Sequence, residues 1–192
     1  MTAPSRGPGP RARAFVRWTL RRGRALWIAS VAAAIIYAVL LRAQGAPLAE
    51  WLANGIVTLE LPGTPERARQ LVDALGERGR AIATLQVQLD FVFLLLYPLA
   101  FSLSSALLAP AAGPMLGRAC ALMTRAIWLA APLDAIENLA MLRMLAGHTA
   151  TPWPQTSTAC AALKFALVVA AALVLIAALS RRGWLRARGR PG

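Results

Sequence analysis

Between Leu26 and Leu41 the chain runs for sixteen residues without a charge, and three later stretches, at about 81–109, 116–145 and 158–179, are nearly as apolar. A helix needs ~20 mainly apolar residues to cross a hydrocarbon core of ~30 Å. Trp27 and Arg42 sit at the ends of the first stretch, where interfacial anchors belong. The expectation is therefore an all-α fold, a four-helix transmembrane bundle with spans at about 26–42, 81–109, 116–145 and 158–179. Composition agrees: 58% of the 192 residues are hydrophobic and 15% charged, against ~45–50% and ~25% in soluble domains.

The net charge of +13 is concentrated at the ends, with seven arginines in the first 24 residues and five in the last 12. Basic tails beside apolar spans read as cytoplasmic anchors that can touch anionic lipid. That explanation leaves no call for nucleic acid as a partner. It places residues 1–24 and 181–192 in the cytoplasm as tails, the first of them disordered up to Phe15 or Val16 by its Pro, Gly and Arg content. Both termini and the middle turn then lie inside a cell (inner) membrane, and the loop 43–80 outside. A second reading of the first span is a cleaved signal peptide, since Ala43-Gln44-Gly45 puts small residues where a peptidase would inspect them.

The outer loop holds five acids and five arginines between Arg42 and Arg80. Ile56 to Leu61 reads as a short extended piece. Thr64-Pro65-Glu66 reads as a helix start, with threonine as cap, proline at the first position and an acid in the first turn. Ala68, Leu71, Val72 and Leu75 then fall on one face, so an amphipathic helix is expected to pack on the bundle or the membrane surface. Pro98 and Pro132 lack the N–H groups that would bond the carbonyls of Leu94 and Trp128, and a kink or a free acceptor is expected at each. Ala162, Ala166 and Ala170 offer a small-residue seam on the last span. Cys120 and Cys160 are expected near opposite membrane faces, too far apart to bridge.

The third span carries the chemistry. In PLDAIENLAMLRML, Asp134, Glu137 and Asn138 share a helical face at i, i+3 and i+4, near mid-span by a rise of about 1.5 Å per residue. Asp90 and Tyr97 on span two, Lys164 on span four and Tyr37 on span one reach similar depths. Intramembrane carboxylates cost at least ~2.5–3.5 kcal/mol on insertion scales, so they face a bundle interior and pair or work there. Lys164 is the only lysine beside twenty arginines, and lysine, unlike arginine, can exchange its proton when buried. Arg125 and Arg143 lie on the other side of the helix and are expected to snorkel to the interfaces.

Three uses follow. Asp90 or Glu137 pairs with Lys164 to hold the helices in register or to bind a ligand. Alternatively, Asp134, Glu137 and Lys164 are catalytic acid, base and headgroup holder for a lipid-like substrate, with Asp90, Tyr97 and Asn138 orienting it. The third is transport of a small solute or proton. One histidine, His148, and no Cys/His spacing argue against a transition-metal site, and no glycine-rich loop or catalytic triad calls for a cofactor. Membrane lipids are the expected partners, and a homo-oligomer is compatible with the pattern.

IVTLELPGTPERARQLVDAL, LDFVFLLLYPLAF, PLDAIENLAMLRML and ALKFAL together resemble a group of small bacterial four-span membrane proteins of uncharacterised activity, over roughly Leu48 to Leu175. The DxxEN element is the most specific part. The resemblance implies four spans and directs attention to Asp90, Asp134, Glu137, Asn138 and Lys164; it implies no reaction.

Overall fold

A computed structural model describes residues 10–189, and every regular element among them is helical. In order these are α1 (Pro10–Gly45), α2 (Ile56–Glu60), α3 (Pro65–Leu108), α4 (Pro114–Ala126), α5 (Ala130–Leu145) and α6 (Trp153–Ala187). Short 3-10 segments occupy Ala46–Glu50, Ala109–Ala111 and Ile127–Leu129. Four helical segments, Arg22–Glu50, Pro65–Ala111, Pro114–Leu145 and Trp153–Leu185, are long and apolar enough to cross a membrane. The chain is an all-α four-helix bundle of the kind a multi-pass membrane protein requires.

Several local expectations change. The tail expected to be disordered falls partly on residues 1–9, outside the described residues; from Pro10 to Gly45 the backbone is helical. At the other end α6 continues to Ala187, and 190–192 are outside the described residues. Pro98 sits inside α3 with helical dihedrals on either side, and having no N–H it leaves the Leu94 carbonyl without its usual donor. At Pro132 the expectation holds: the missing donor falls one turn after Trp128, where the helix tightens into the 3-10 segment that divides α4 from α5. Arg125 and Arg143 are exposed, and Arg143 lies over the Trp153 ring with its guanidinium carbon 5.6 Å from the centroid.

One end of the bundle is capped by the loop between the first two spans. Thr64 has extended dihedrals and its Oγ1 accepts from Arg67 N at 3.2 Å, the cap that the Thr-Pro-Glu start requires. The apolar stripe Ala68, Leu71, Val72 and Leu75 is buried. Gly76 then adopts φ 57°, ψ −166°, a conformation essentially restricted to glycine, and two helices meet there inside α3. Arg80 ties the bend by donating Nε to Val72 O at 2.9 Å and pairing with Asp73 at 3.1 Å. Leu48, Leu52, Leu59, Met141 and Met144 complete this core. Each such leucine, if withdrawn from water, contributes about 1.5–3 kcal/mol.

Ile56 to Leu61 is not extended. Gly55, at φ 58°, turns the chain into α2, a single helical turn that buries Leu59 and Glu60. The β-branched residues Ile56, Val57 and Thr58 favour a strand locally, but burial of Leu59 against the bundle outweighs that preference.

The alanine seam also moves. Ala162 and Ala166 are exposed, and the buried alanines of α6 are Ala161, Ala171 and Ala178. At 100° per residue, positions two before and two after Lys164 point away from it, whereas those three before, seven after and fourteen after share its face. Lys164 decides which side of α6 turns inward, and the alanines on that side provide the close contacts.

Candidate functional site

Lys164 stands at the centre. Its Nζ donates to Asp134 Oδ1 and to Glu137 Oε1, both at 2.9 Å, and lies 3.9 Å from Glu60 Oε2. The i, i+3 spacing on α5 aims both acids at one ammonium on α6. Tyr97, reaching from α3, donates its hydroxyl to Asp134 Oδ2 at 3.0 Å. Asp134 is therefore held through both oxygens, by two different helices. All the α5 members are sealed in: Asp134 is 2% exposed, Glu137 0% and Asn138 1%.

Asp90 does not pair with Lys164. It accepts from Asn138 Nδ2 at 2.9 Å instead, and remains partly open where the acids of α5 are closed off. Tyr37 stays one layer away. Its hydroxyl donates to Leu89 O at 2.9 Å, and its ring stacks on Phe93 at 6.2 Å, with Phe93 in turn 5.3 Å from Tyr97. Span one thus buttresses the site through aromatic contact. Cys120 and Cys160 are both buried free thiols.

Sequence reasoning missed Glu60. α2 carries it down from the cap, and the first turn of α6 holds α2 in place: Ser157 Oγ donates to Glu60 O at 3.0 Å and Gly63 N donates to Thr158 Oγ1 at 2.9 Å. The available signal was an acid isolated between Leu59 and Leu61, with no other charge nearer than Glu50 and Glu66. Burial pushes the Glu60 carboxyl above its ordinary value of 4.5, while Lys164 draws it back and Asp134 raises it further.

Gln86 was missed as well. It is 9% exposed, and its amide lies so close to Gly45 that a Cβ there would collide with it. Glycine at position 45 lets α1 approach α3 at that level.

Two spaces meet at these residues. A cavity of about 20 Å³ is bounded by Glu60, Gln86, Asp90, Asn138, Val87 and Met141. Three of these residues carry buried side-chain oxygens, Glu60 Oε2, Gln86 Oε1 and Asn138 Oδ1, that accept no hydrogen bond from any described residue, although Glu60 Oε2 has the Lys164 ammonium 3.9 Å away. Gln86, Asp90 and Ile56 also line a wider cleft of about 710 Å³ that continues past Arg42 and Asn54 at the outer end of α1. A polar core of four carboxyls and one lysine is thereby approached from the capped end of the bundle through Asp90 and Gln86.

Among the described residues no three His, Cys, Asp or Glu side chains are grouped to hold a metal ion. No family model, curated protein or solved structure matches the chain, so the chemistry rests on these side chains.

Proposed function

We propose that this chain is a multi-pass protein of the bacterial cell membrane, with both termini cytoplasmic, whose carboxylate/lysine cluster forms the floor of a binding site for a hydrogen-bond-donating cation. The ligand class is a primary ammonium group. One observation carries this reading: Asp90, whose carboxyl remains partly open, shares one cavity with Gln86 and Asn138, whose buried Oε1 and Oδ1 accept no hydrogen bond from any described residue. A buried acceptor left unpaired costs about 1–3 kcal/mol, so the amide oxygens of Gln86 and Asn138 are retained there at a cost to folding, as binding sites are. An ammonium offers three N–H donors and the positive charge that four carboxyls and one lysine lack.

A second reading, acid/base catalysis on a lipid-like substrate, draws on the unbroken chain Tyr97, Asp134, Lys164 and Glu137. Binding is preferred because Lys164 already spends donors on Asp134 and Glu137, while the oxygens without partners are all acceptors.

The test is thermal unfolding of the full chain in one fixed detergent with ethylammonium chloride, against tetramethylammonium chloride at equal ionic strength. Saturable stabilisation by ethylammonium alone, lost in Glu60→Gln and Asp90→Asn, supports the site. Equal effects of the two salts would overturn it.

A further inference from the structure

The cleft does not end at Asp90. Ala38 and Phe93 belong both to it and to a second space of about 330 Å³ that runs down between α1 and α3. Val31, Ala34, Ile35, Ala100 and Phe101 form the walls of this groove, and its only hydroxyl groups are those of Tyr97 and Ser104. Both are committed elsewhere, Tyr97 to Asp134 and Ser104 to Ala100 O, to which it donates at 2.7 Å. At its far end Trp27 Nε1 donates to Ser104 Oγ at 2.9 Å, and Ser104 and Leu175 are shared with a further space of about 460 Å³ beyond. Measured along α1, from Arg42 to Val31, cleft and groove extend about 16 Å.

The two spaces differ in chemistry. The upper one presents a guanidinium at Arg42 and, deeper, the carboxylate of Asp90 beside the Gln86 amide oxygen. Arg42 is exposed and pairs with no carboxylate among the described residues. Below Phe93 the walls are apolar. An occupant complementary to all three zones has an anion near the outer interface, a primary ammonium within reach of Asp90, and a hydrocarbon chain directed toward the membrane interior.

Resting on the ammonium-site reading, we infer that the cleft and groove together bind one phospholipid with a primary-amine headgroup, of the phosphatidylethanolamine class. Its phosphate lies against Arg42, a partner suited to phosphate by geometry and charge. From that phosphate the ethanolamine arm folds inward so that its ammonium donates to Asp90 and Gln86, and the glycerol, descending beside it, directs one acyl chain between α1 and α3. A choline headgroup has no N–H to give, and leaves the same acceptors unpaired. A glycerol headgroup adds no positive charge at Asp90. Selection among lipids with identical chains is thus assigned to Asp90 and Gln86, and retention of the chain to the groove.

The experiment is native mass spectrometry of the full chain in detergent with equimolar phosphatidylethanolamine, phosphatidylcholine and phosphatidylglycerol bearing the same acyl chains. Wild type is expected to retain the ethanolamine lipid at least about tenfold over either competitor, a difference within reach of one or two charge-assisted hydrogen bonds. Asp90→Asn should abolish the preference. Ala38→Phe, at the junction of the two spaces, should remove lipid altogether while ethylammonium still stabilises the protein. Ile35→Trp on the exposed groove wall provides a second obstruction at a position that does not support the core. Equal retention of the three lipids by wild type, or undiminished ethanolamine lipid in both groove variants, would overturn the inference. If ethylammonium stabilises the protein but the ethanolamine lipid is not preferred, the lipid assignment falls and the ammonium site stands; if neither is seen, both fall.

Discussion

Tyr97 donates to the oxygen of Asp134 that Lys164 leaves free, at 3.0 Å across the α3–α5 interface. One carboxylate therefore joins three spans, and nothing about it is left for solvent or ligand. Glu137, three residues on, has only one oxygen so occupied, and its Oε2 is buried without a partner. Asp134 anchors the network, while Glu60 borders the small cavity beside Asp90.

Breaking the pair at its centre should be costly. Lys164→Met strips two carboxylates of their shared cation, and Glu137→Gln removes one of its partners; a buried pair broken on one side typically loses about 3–5 kcal/mol. The double variant should lose less than the sum of the two, with a coupling of about 0.5–3 kcal/mol. Thermal melts of the four proteins in one detergent read this out, and additive losses would contradict the contact geometry.

Leu59→Ala should cost about 2–5 kcal/mol, as expected for a leucine 0% exposed whose removal leaves a cavity. Because Glu60 follows it on the same turn, ethylammonium stabilisation should weaken in parallel. Leu75→Ala, in the same core but away from α2, should lower stability with the ethylammonium response intact.

Gly76→Ala tests the bend in α3. Nothing lies within 4 Å of an added Cβ there, so the whole loss, about 1–3 kcal/mol, should come from backbone dihedrals that only glycine tolerates. A neutral result by thermal melt would mean that the two halves of α3 can meet by another route.

The pH dependence follows from Glu60. Burial holds its carboxyl above 4.5, with Lys164, Asp134 and Glu137 facing it. The folded chain therefore keeps a proton there that the unfolded chain releases. The contribution to stability is complete below 4.5 and is lost as pH rises through the folded value. Glu60→Gln should flatten this part of the stability profile; a profile identical to wild type would remove Glu60 as its source.

Topology can be read directly from reporter fusions after Ala112 and Gly192, both of which should report cytoplasm. A periplasmic signal at either position contradicts the orientation drawn from the basic tails.

The sequence made the long-range layout readable because spans are marked by length and hydropathy, and because i, i+3 and i+4 spacing fixes a helical face without tertiary information. Asp134, Glu137, Asn138, Lys164 and Tyr97 do meet. What escaped was whatever depended on the route of a loop. Glu60 lies 97 residues from Ser157, the residue that holds its carbonyl, and no periodicity links two such positions. The strand reading of Ile56 to Leu61 failed for the same reason, since local β preference is weak beside the burial of Leu59. The alanine seam could have been placed correctly from sequence by measuring angles from Lys164, the residue least able to face lipid.

The order of the chain gives the central contact a further meaning. Asp134 and Glu137 are synthesised before the lysine that neutralises them, 30 and 27 residues ahead of it, and Glu60 still earlier. Until α6 arrives, the third span has no cation with which to settle in the bilayer, and the cap has neither Ser157 nor Thr158 to hold it. The last span thus acts as the latch of assembly, and a chain truncated before Lys164 retains three hydrophobic segments but has no stable resting place for its acids.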